Sequence, residues 1–270
     1  MPERTNESVA MPPTSAHSSP TAWLALVALL SLAACGDTGY SLAWYVVDPT
    51  LPQGRGNLEF LISGLGNTVL VSITAMLFSI LLGLAVALMA MSGARPLRIA
   101  ARIYVELFRS VPILVMVLWV FYGLPVLVGI RLEVFPAAVL ALALSDSAFE
   151  AEIFRGGIQS IDRGQHEAAD SLGLPWAAKM RQVILPQAIR RILPPLGNQF
   201  VYVTKMSSLA SVIGLADLTR QATELVVVAY RPLEIYTVLV VEYLMLILVI
   251  SWGVRALERR LGADERRGRA

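Results

Sequence analysis

The sequence predicts an all-α fold: a polytopic bundle of membrane helices with five core transmembrane helices and a helix-turn-helix elbow on the cytoplasmic side. Three observations lead there. First, the chain of 270 residues is 56% hydrophobic and 16% charged, with a mean hydropathy of +0.64, too apolar for an ordinary water-soluble domain. Second, the apolar residues gather into stretches near the length of about 20 residues that spans a bilayer as a helix. These are 68–91, 112–130, 134–154, 193–215 and 235–254. Third, the basic residues alternate in density between the stretches.

That alternation sets the orientation. Arg95, Arg98, Arg102 and Arg109 lie between the first two spans, and Arg155, Arg163, Lys179, Arg181, Arg190 and Arg191 between the third and fourth. Arg255, Arg259, Arg260, Arg266, Arg267 and Arg269 follow the last, whereas the alternate segments hold only Arg55, Arg131, Arg220 and Arg231. Basic residues stay on the cytoplasmic side, so the C-terminus is expected inside and the segment before Thr68 outside. The arginines flank apolar spans and form no continuous stripe, which argues against nucleic acid as a partner.

Ahead of the first span, residues 1–21 are rich in Pro, Ser and Thr and carry too little apolar surface to fold, so they are expected to be disordered. Residues 22–34 are apolar but short for a span, and two readings stand: a short additional helix, or an N-terminal extension whose true start is Met11. They run into Leu32-Ala33-Ala34-Cys35-Gly36, which looks like a lipoprotein cleavage box. A secretory signal needs a basic region first, and only Arg4 stands there, opposed by Glu3 and Glu7, so lipidation is not expected. Cys35 is the one cysteine, and His17 and His166 are far apart, so neither an intramolecular disulfide nor a cysteine-clustered metal site is expected. The expected organisation is an N-terminal extension and external segment at 1–58, a membrane domain at 59–262 and a charged cytoplasmic tail at 263–270.

Each span has its own features. In the first, Ser79, Gly83 and Ala87 recur at a spacing that lets helices approach closely, and Asn67 and Thr68 are placed to cap the helix start. Pro125 is expected to bend or end the second. In the third, Asp146 and Glu150 stand four apart and share a face, while Glu152 is expected to pair with Arg155 or Arg109. In the fourth, Asn198, Tyr202, Lys205 and Ser208 fall on one helical face and draw a polar stripe through an apolar segment. Glu242 sits in the middle of the fifth. Ionisable groups inside a membrane are costly and face a cavity or a partner, which makes Asp146, Glu150, Asn198, Tyr202, Lys205 and Ser208 the candidate path for a polar solute. A zwitterionic solute could place its carboxylate on Lys205 and its ammonium on Asp146; the alternative is that these two residues pair with each other.

Residues 155–192, between the third and fourth spans, are too polar for membrane and too patterned for a simple loop. The spacing predicts a helix at 166–172 opened by Gly164 and Gln165, and Gly173 can supply the positive φ that ends it. A second helix at 175–185 begins with proline in its first turn and stops at Pro186. The result is a compact elbow; an amphipathic hairpin lying on the membrane surface is the other reading.

Within the elbow, Glu167-Ala168-Ala169, then Gly173, then Val183-Ile184-Leu185-Pro186 resembles the EAA loop of ABC importer permeases, with valine where isoleucine is usual. The resemblance extends to Tyr104-Val105-Glu106-Leu107-Phe108-Arg109-Ser110-Val111-Pro112, to Glu152-Ile153-Phe154-Arg155-Gly156-Gly157, to Pro194-Pro195-Leu196-Gly197-Asn198 and to Lys205 through Gly214. Together these motifs resemble the polar amino acid branch of that family, of the histidine, glutamine and arginine permease type, over roughly 59–261. In the family the fourth span usually reads Lys-Asp-Thr-Ser-Leu; here Lys205-Met206-Ser207-Ser208-Leu209 lacks the acid, which puts a standard substrate preference in doubt.

The resemblance implies a permease that pairs with a second permease subunit, the same or related, and docks its elbow into cytoplasmic ATPase subunits. An external solute-binding protein delivers the substrate, and Glu167, Ala168, Ala169, Gly173, Leu185 and Pro186 form the coupling surface. The chain has no glycine loop ending in Gly-Lys-Ser or Gly-Lys-Thr, so ATP and Mg are expected on the partner ATPase and no cofactor on this chain. Two other classes compete. An intramembrane enzyme using Asp146, Glu150 or Glu242 lacks any recognisable catalytic signature, and a secondary transporter or channel has no use for the elbow.

Overall fold

The computed structural model describes residues 40–267, with side chains described as far as Arg259. The short helix expected at 22–34 and Cys35 lie outside the described residues, as does the tail from 268 onward. Among the described residues the chain is helical and forms no strand.

A single 3-10 turn, Trp44–Val47, precedes α1 (Pro52–Ser63) and α2 (Leu65–Met91), which together run as one apolar helix broken only slightly at Gly64. Next come α3 (Arg95–Ser110), α4 (Ile113–Leu118), a π-turn at Trp119–Gly123 and α5 (Leu124–Val128). The long α6 (Val134–Gln159) leads to α7 (Arg163–Ser171) and α8 (Trp176–Lys179). A second π-turn at Met180–Ile184 joins α8 to α9 (Leu185–Met206), which tightens into a 3-10 stretch at Ser207–Ile213. The chain closes with α10 (Leu218–Ala229) and α11 (Pro232–Arg267).

Among the described residues three helices are by themselves long and apolar enough to cross a membrane: Pro52–Met91, Val134–Gln159 and Pro232–Arg259. The second and fourth expected spans instead belong to bent helix pairs, with the bend at the edge of each span. Arg95–Ser110 meets Ile113–Val128 at 102°, and Trp176–Ile213 meets Leu218–Ala229 at 47°. The basic segment between the first two expected spans is the helix α3, whose Ala101, Tyr104, Val105 and Phe108 turn inward onto the core.

The middle of the fold is α6, two-thirds buried (67%) over its apolar window, against 11% for α11 at the edge. The α2–α6 contact is made by small residues. Ala75, Ser79, Gly83 and Ala87 on α2 are buried, as are Ala137, Ala138, Ala141, Ser145 and Ala148 on α6. At Gly83 the backbones are so close that a Cβ would stand 2.8 Å from the Glu150 Cβ and 2.9 Å from the Ser147 carbonyl oxygen. Apolar side chains gain little by leaving lipid, so close van der Waals packing of small residues is what holds such helices together.

Three expectations are corrected, and that for Pro125 holds three residues downstream, where its helix ends at Val128. Asn67 and Thr68 do not cap a helix start, because α1 already leads into α2 and the Thr68 N–H is satisfied by the Gly64 carbonyl. They stitch the bundle instead: the Asn67 amide donates to the Ala216 carbonyl at 2.8 Å, and the Thr68 hydroxyl accepts the Leu218 N–H at 3.2 Å. Residues 43–58, expected outside the membrane domain, pack into it, since Ala43, Val46 and Val47 are buried with Leu61, Leu225 and Ile235. Pro186 does not stop the elbow helix, and Pro125 does not end its own at once. Each follows a π-turn in which an N–H reaches back five residues, Leu185 to the Met180 carbonyl and Leu124 to the Trp119 carbonyl. A proline lacks the N–H and crowds the carbonyl four residues back; the wider π-turn absorbs both defects, and the helix continues.

Candidate functional site

Two regions bring chemistry-bearing residues together: the elbow and a polar face of α9. In the elbow, the Asp162 carboxylate accepts the Gly164 N–H at 2.6 Å and caps α7, which begins at Arg163, three residues before the start the sequence pattern predicts. Gly173 has φ +69°; its N–H meets the Asp170 carbonyl at 2.9 Å, and the Leu174 N–H meets the Ala169 carbonyl at 3.2 Å. This is the glycine helix stop that the sequence predicts.

Polar ties hold the two arms of the elbow. Lys179 pairs with Asp170 at 2.7 Å, the Gln187 amide donates to Gln165 at 3.0 Å, and Arg191 donates to the Ser160 carbonyl. Ala169 and Ile184 are buried and anchor it to the bundle with Ile161 and Ala188. Glu167, Ala168, Gly173, Leu185 and Pro186 are exposed. Sequence reasoning missed Leu172 and Trp176, which flank the Gly173 turn at 78% and 72% exposure. Large apolar side chains held out on a rigid knob mark a surface that a partner covers.

On α9, Asn198, Tyr202 and Lys205 are exposed on one face and Ser208 is half-buried beside them. Lys205 and Ser208 open on a cleft of about 400 Å³ shared with Thr219 on α10 and Val240, Tyr243, Leu244 and Ile247 on α11. The Thr219 and Tyr243 hydroxyls meet at 3.1 Å, and the buried Asp217, which accepts the Arg220 N–H at 2.8 Å, lies behind Tyr243. Thr219 lies in the segment between the fourth and fifth expected spans and Tyr243 inside the fifth, and their separation from Lys205 in sequence hides the shared cleft.

Asp146 and Glu150 lie elsewhere. Both are buried between α2, α6 and α9, and Asp146 accepts the Ser79 hydroxyl at 3.0 Å and the Gln199 amide. Gln199 and Lys205 are six positions apart on α9, about 120° around the helix. The structure therefore does not bring Asp146 and Lys205 together, either as a pair or on one cleft. The Glu150 carboxylate oxygens have no hydrogen-bond partner, and neither do those of Glu242, which faces an apolar groove lined by Leu58, Ile62 and Leu218. Glu152 pairs with Arg155, as expected, and Arg109 stacks over Phe149 at 5.1 Å instead.

Residues 79–263 match the family described as binding-protein-dependent transport system inner membrane component. The chain is 35% identical over 216 residues to the arginine transport system permease protein ArtQ of Bacillus subtilis (strain 168), covering 80% of this chain and 97% of ArtQ. It is 40% identical over 205 residues to the probable glutamine ABC transporter permease protein GlnM of the same organism, covering 76% and 94% respectively. Among solved structures, a crystal structure of an amino acid ABC transporter with histidines aligns with a TM-score of 0.75 at 41% identity, over 82% of this chain and 100% of that one. With the family match running from within the first long helix through the elbow and the polar face, this chain belongs to the inner membrane components of binding-protein-dependent transport systems, the permease subunits of ABC importers.

Proposed function

We propose that this chain carries amino acids or closely similar small polar solutes into the cytoplasm as one permease subunit of an ATP-driven importer in the bacterial cytoplasmic (inner) membrane. The observation that carries the reading is the elbow: a capped, internally tied helix-turn-helix that offers Leu172, Trp176 and Glu167 to a partner, on a chain with no nucleotide-binding loop of its own. ATP and Mg are bound by separate ATPase subunits, whose closure pushes on Glu167, Ala168, Gly173, Leu185 and Pro186, while Ala169, expected on the same surface, is buried and anchors the knob from behind. A second permease, identical or related, completes the pathway, an external solute-binding protein loads it, and the C-terminus is cytoplasmic.

The polar face of α9 is the solute path. Lys205 is the cation that meets the α-carboxylate of the solute, a charge-assisted hydrogen bond stronger than a neutral one. Ser208, Thr219 and Tyr243 offer hydroxyls around it, and Asn198 and Tyr202 continue the face toward the cytoplasm. Asp146 and Glu150, buried away from this cleft, pack α2, α6 and α9 together and do not touch the solute. Names of relatives that specify arginine and glutamine support the amino acid class.

Affinity purification of the tagged chain from its native membranes tests the reading. An ATPase subunit carrying a Gly-Lys-Ser or Gly-Lys-Thr loop is expected to co-purify, and Leu172→Asp with Trp176→Asp to release it. A chain that purifies alone from gently solubilised membranes contradicts the proposal.

A further inference from the structure

The helix α3 presents three faces. Ala101, Tyr104, Val105 and Phe108 turn inward, and the Tyr104 hydroxyl lies 2.7 Å from that of Ser147 on α6. Ile99, Ile103 and Leu107, four apart, form an outward apolar stripe at 51%, 60% and 55% exposure. Arg95, Arg98 and Arg102 form an adjacent stripe; all three are exposed, and among the described residues no carboxylate pairs with them. Glu106 is the one acid on the helix, so the exposed surface keeps a net positive charge.

Apolar and basic stripes side by side are the pattern of a helix lying in a membrane interface. The backbone agrees: α3 ends in a bend of 102° into Ile113–Val128, so a following helix near the bilayer normal leaves α3 close to the membrane plane. Ser92, Gly93 and Ala94 join α3 to the end of the first span, which fixes it at the membrane boundary. The arginine density that sets topology places that boundary on the cytoplasmic side, where anionic headgroups lie.

We propose that α3 is an interfacial helix whose Arg95, Arg98 and Arg102 form a binding site for anionic phospholipid headgroups, with Ile99, Ile103 and Leu107 in contact with the acyl chains of the same lipids. Guanidinium groups match phosphodiester oxygens in charge and in the planar geometry of their donors. A lipid satisfies both stripes at once, whereas a free phosphate would leave the apolar stripe in water. Because α3 packs on both α2 and α6, headgroups held there tie the central helices to the cytoplasmic leaflet. The inference does not depend on the identity of the transported solute.

Native mass spectrometry of the full-length chain in neutral detergent tests it, with titration by dioleoylphosphatidylglycerol or dioleoylphosphatidylcholine. The wild type is expected to retain phosphatidylglycerol preferentially, with the preference lost in high salt and unaffected by glycerol phosphate. Each arginine near the surface contributes roughly fivefold in affinity, so Arg98→Gln alone should reduce retention measurably and Arg95→Gln with Arg98→Gln and Arg102→Gln should remove the preference. Arg163→Gln with Arg181→Gln, on the elbow, should leave it intact. A wild type that shows no preference overturns the proposal whether or not the variants fold. So does a well-folded triple variant that retains phosphatidylglycerol as the wild type does, or one that loses only its association with a second permease or an ATPase.

Discussion

Gly83 is where a single missing side chain sets the distance between α2 and α6. A Cβ there would meet the Glu150 Cβ and the Ser147 carbonyl at under 3 Å, and neither a Cβ nor a backbone oxygen can rotate away. Gly83→Val should therefore lower thermal stability in detergent: overpacking costs about 1–3 kcal/mol, while leaving glycine in a helix returns at most about 1 kcal/mol. An unchanged unfolding midpoint would mean that the helices separate more easily than their packing implies. Lys205 makes the opposite case, since it is exposed to a cleft and its loss should leave folding alone. Hydrogen bonds to charged groups contribute about 1.5–3 kcal/mol, so Lys205→Met should weaken solute affinity by roughly 10- to 100-fold in transport assays on normally inserted protein. Gly83, Gly173 and Lys205 were all legible in the sequence, because a small residue at packing spacing, a glycine after an amphipathic turn and a lone cation in an apolar span each have few physical uses. Thr219 and Tyr243 were not, because only the fold brings α10 and α11 beside Lys205.

At the scale of elements, the sequence marks where helices run better than where they break. The five apolar stretches are helical apart from their ends, yet two belong to bent pairs, and the sharp turn falls at Val111 and Pro112 and not at Pro125. The sequence pattern predicts a stop at Pro186, whereas the π-turn before it lets the helix pass. Such a turn leaves no signature in hydropathy, because its cost is met by backbone geometry alone. The helix α3 was hidden for a different reason: its arginines lower the local hydropathy, although its inward residues recur at helical spacing. The elbow is the most legible element, since the glycine stop and proline start fall two residues apart at Gly173 and Pro175, although the Asp162 cap emerges only from the fold. Its turn yields a further prediction. Gly173→Val forces a β-branched residue into left-handed backbone, a strain of about 1–3 kcal/mol confined to an exposed turn. Membrane insertion should be normal while ATPase binding and uptake fall together; full ATP-coupled uptake by this variant would remove the elbow from the coupling path.

For the whole molecule, orientation and coupling are the properties to measure. The arginine asymmetry predicts Arg102 and His166 in the cytoplasm and Arg131 and Arg220 outside. With Cys35 replaced, single cysteines at these four positions should react with a membrane-impermeant thiol reagent in intact cells only at 131 and 220. Labelling at 102 or 166 would invert the topology and put the elbow out of reach of a cytoplasmic ATPase. The most direct test of the central claim is uptake by the purified permease reconstituted in liposomes with its ATPase and solute-binding protein, using radiolabelled arginine and glutamine. Uptake should require ATP together with both partners, and should stop when the ATPase is omitted or Gly173→Val is introduced. Solute accumulation by the permease alone, without ATP, would contradict the account.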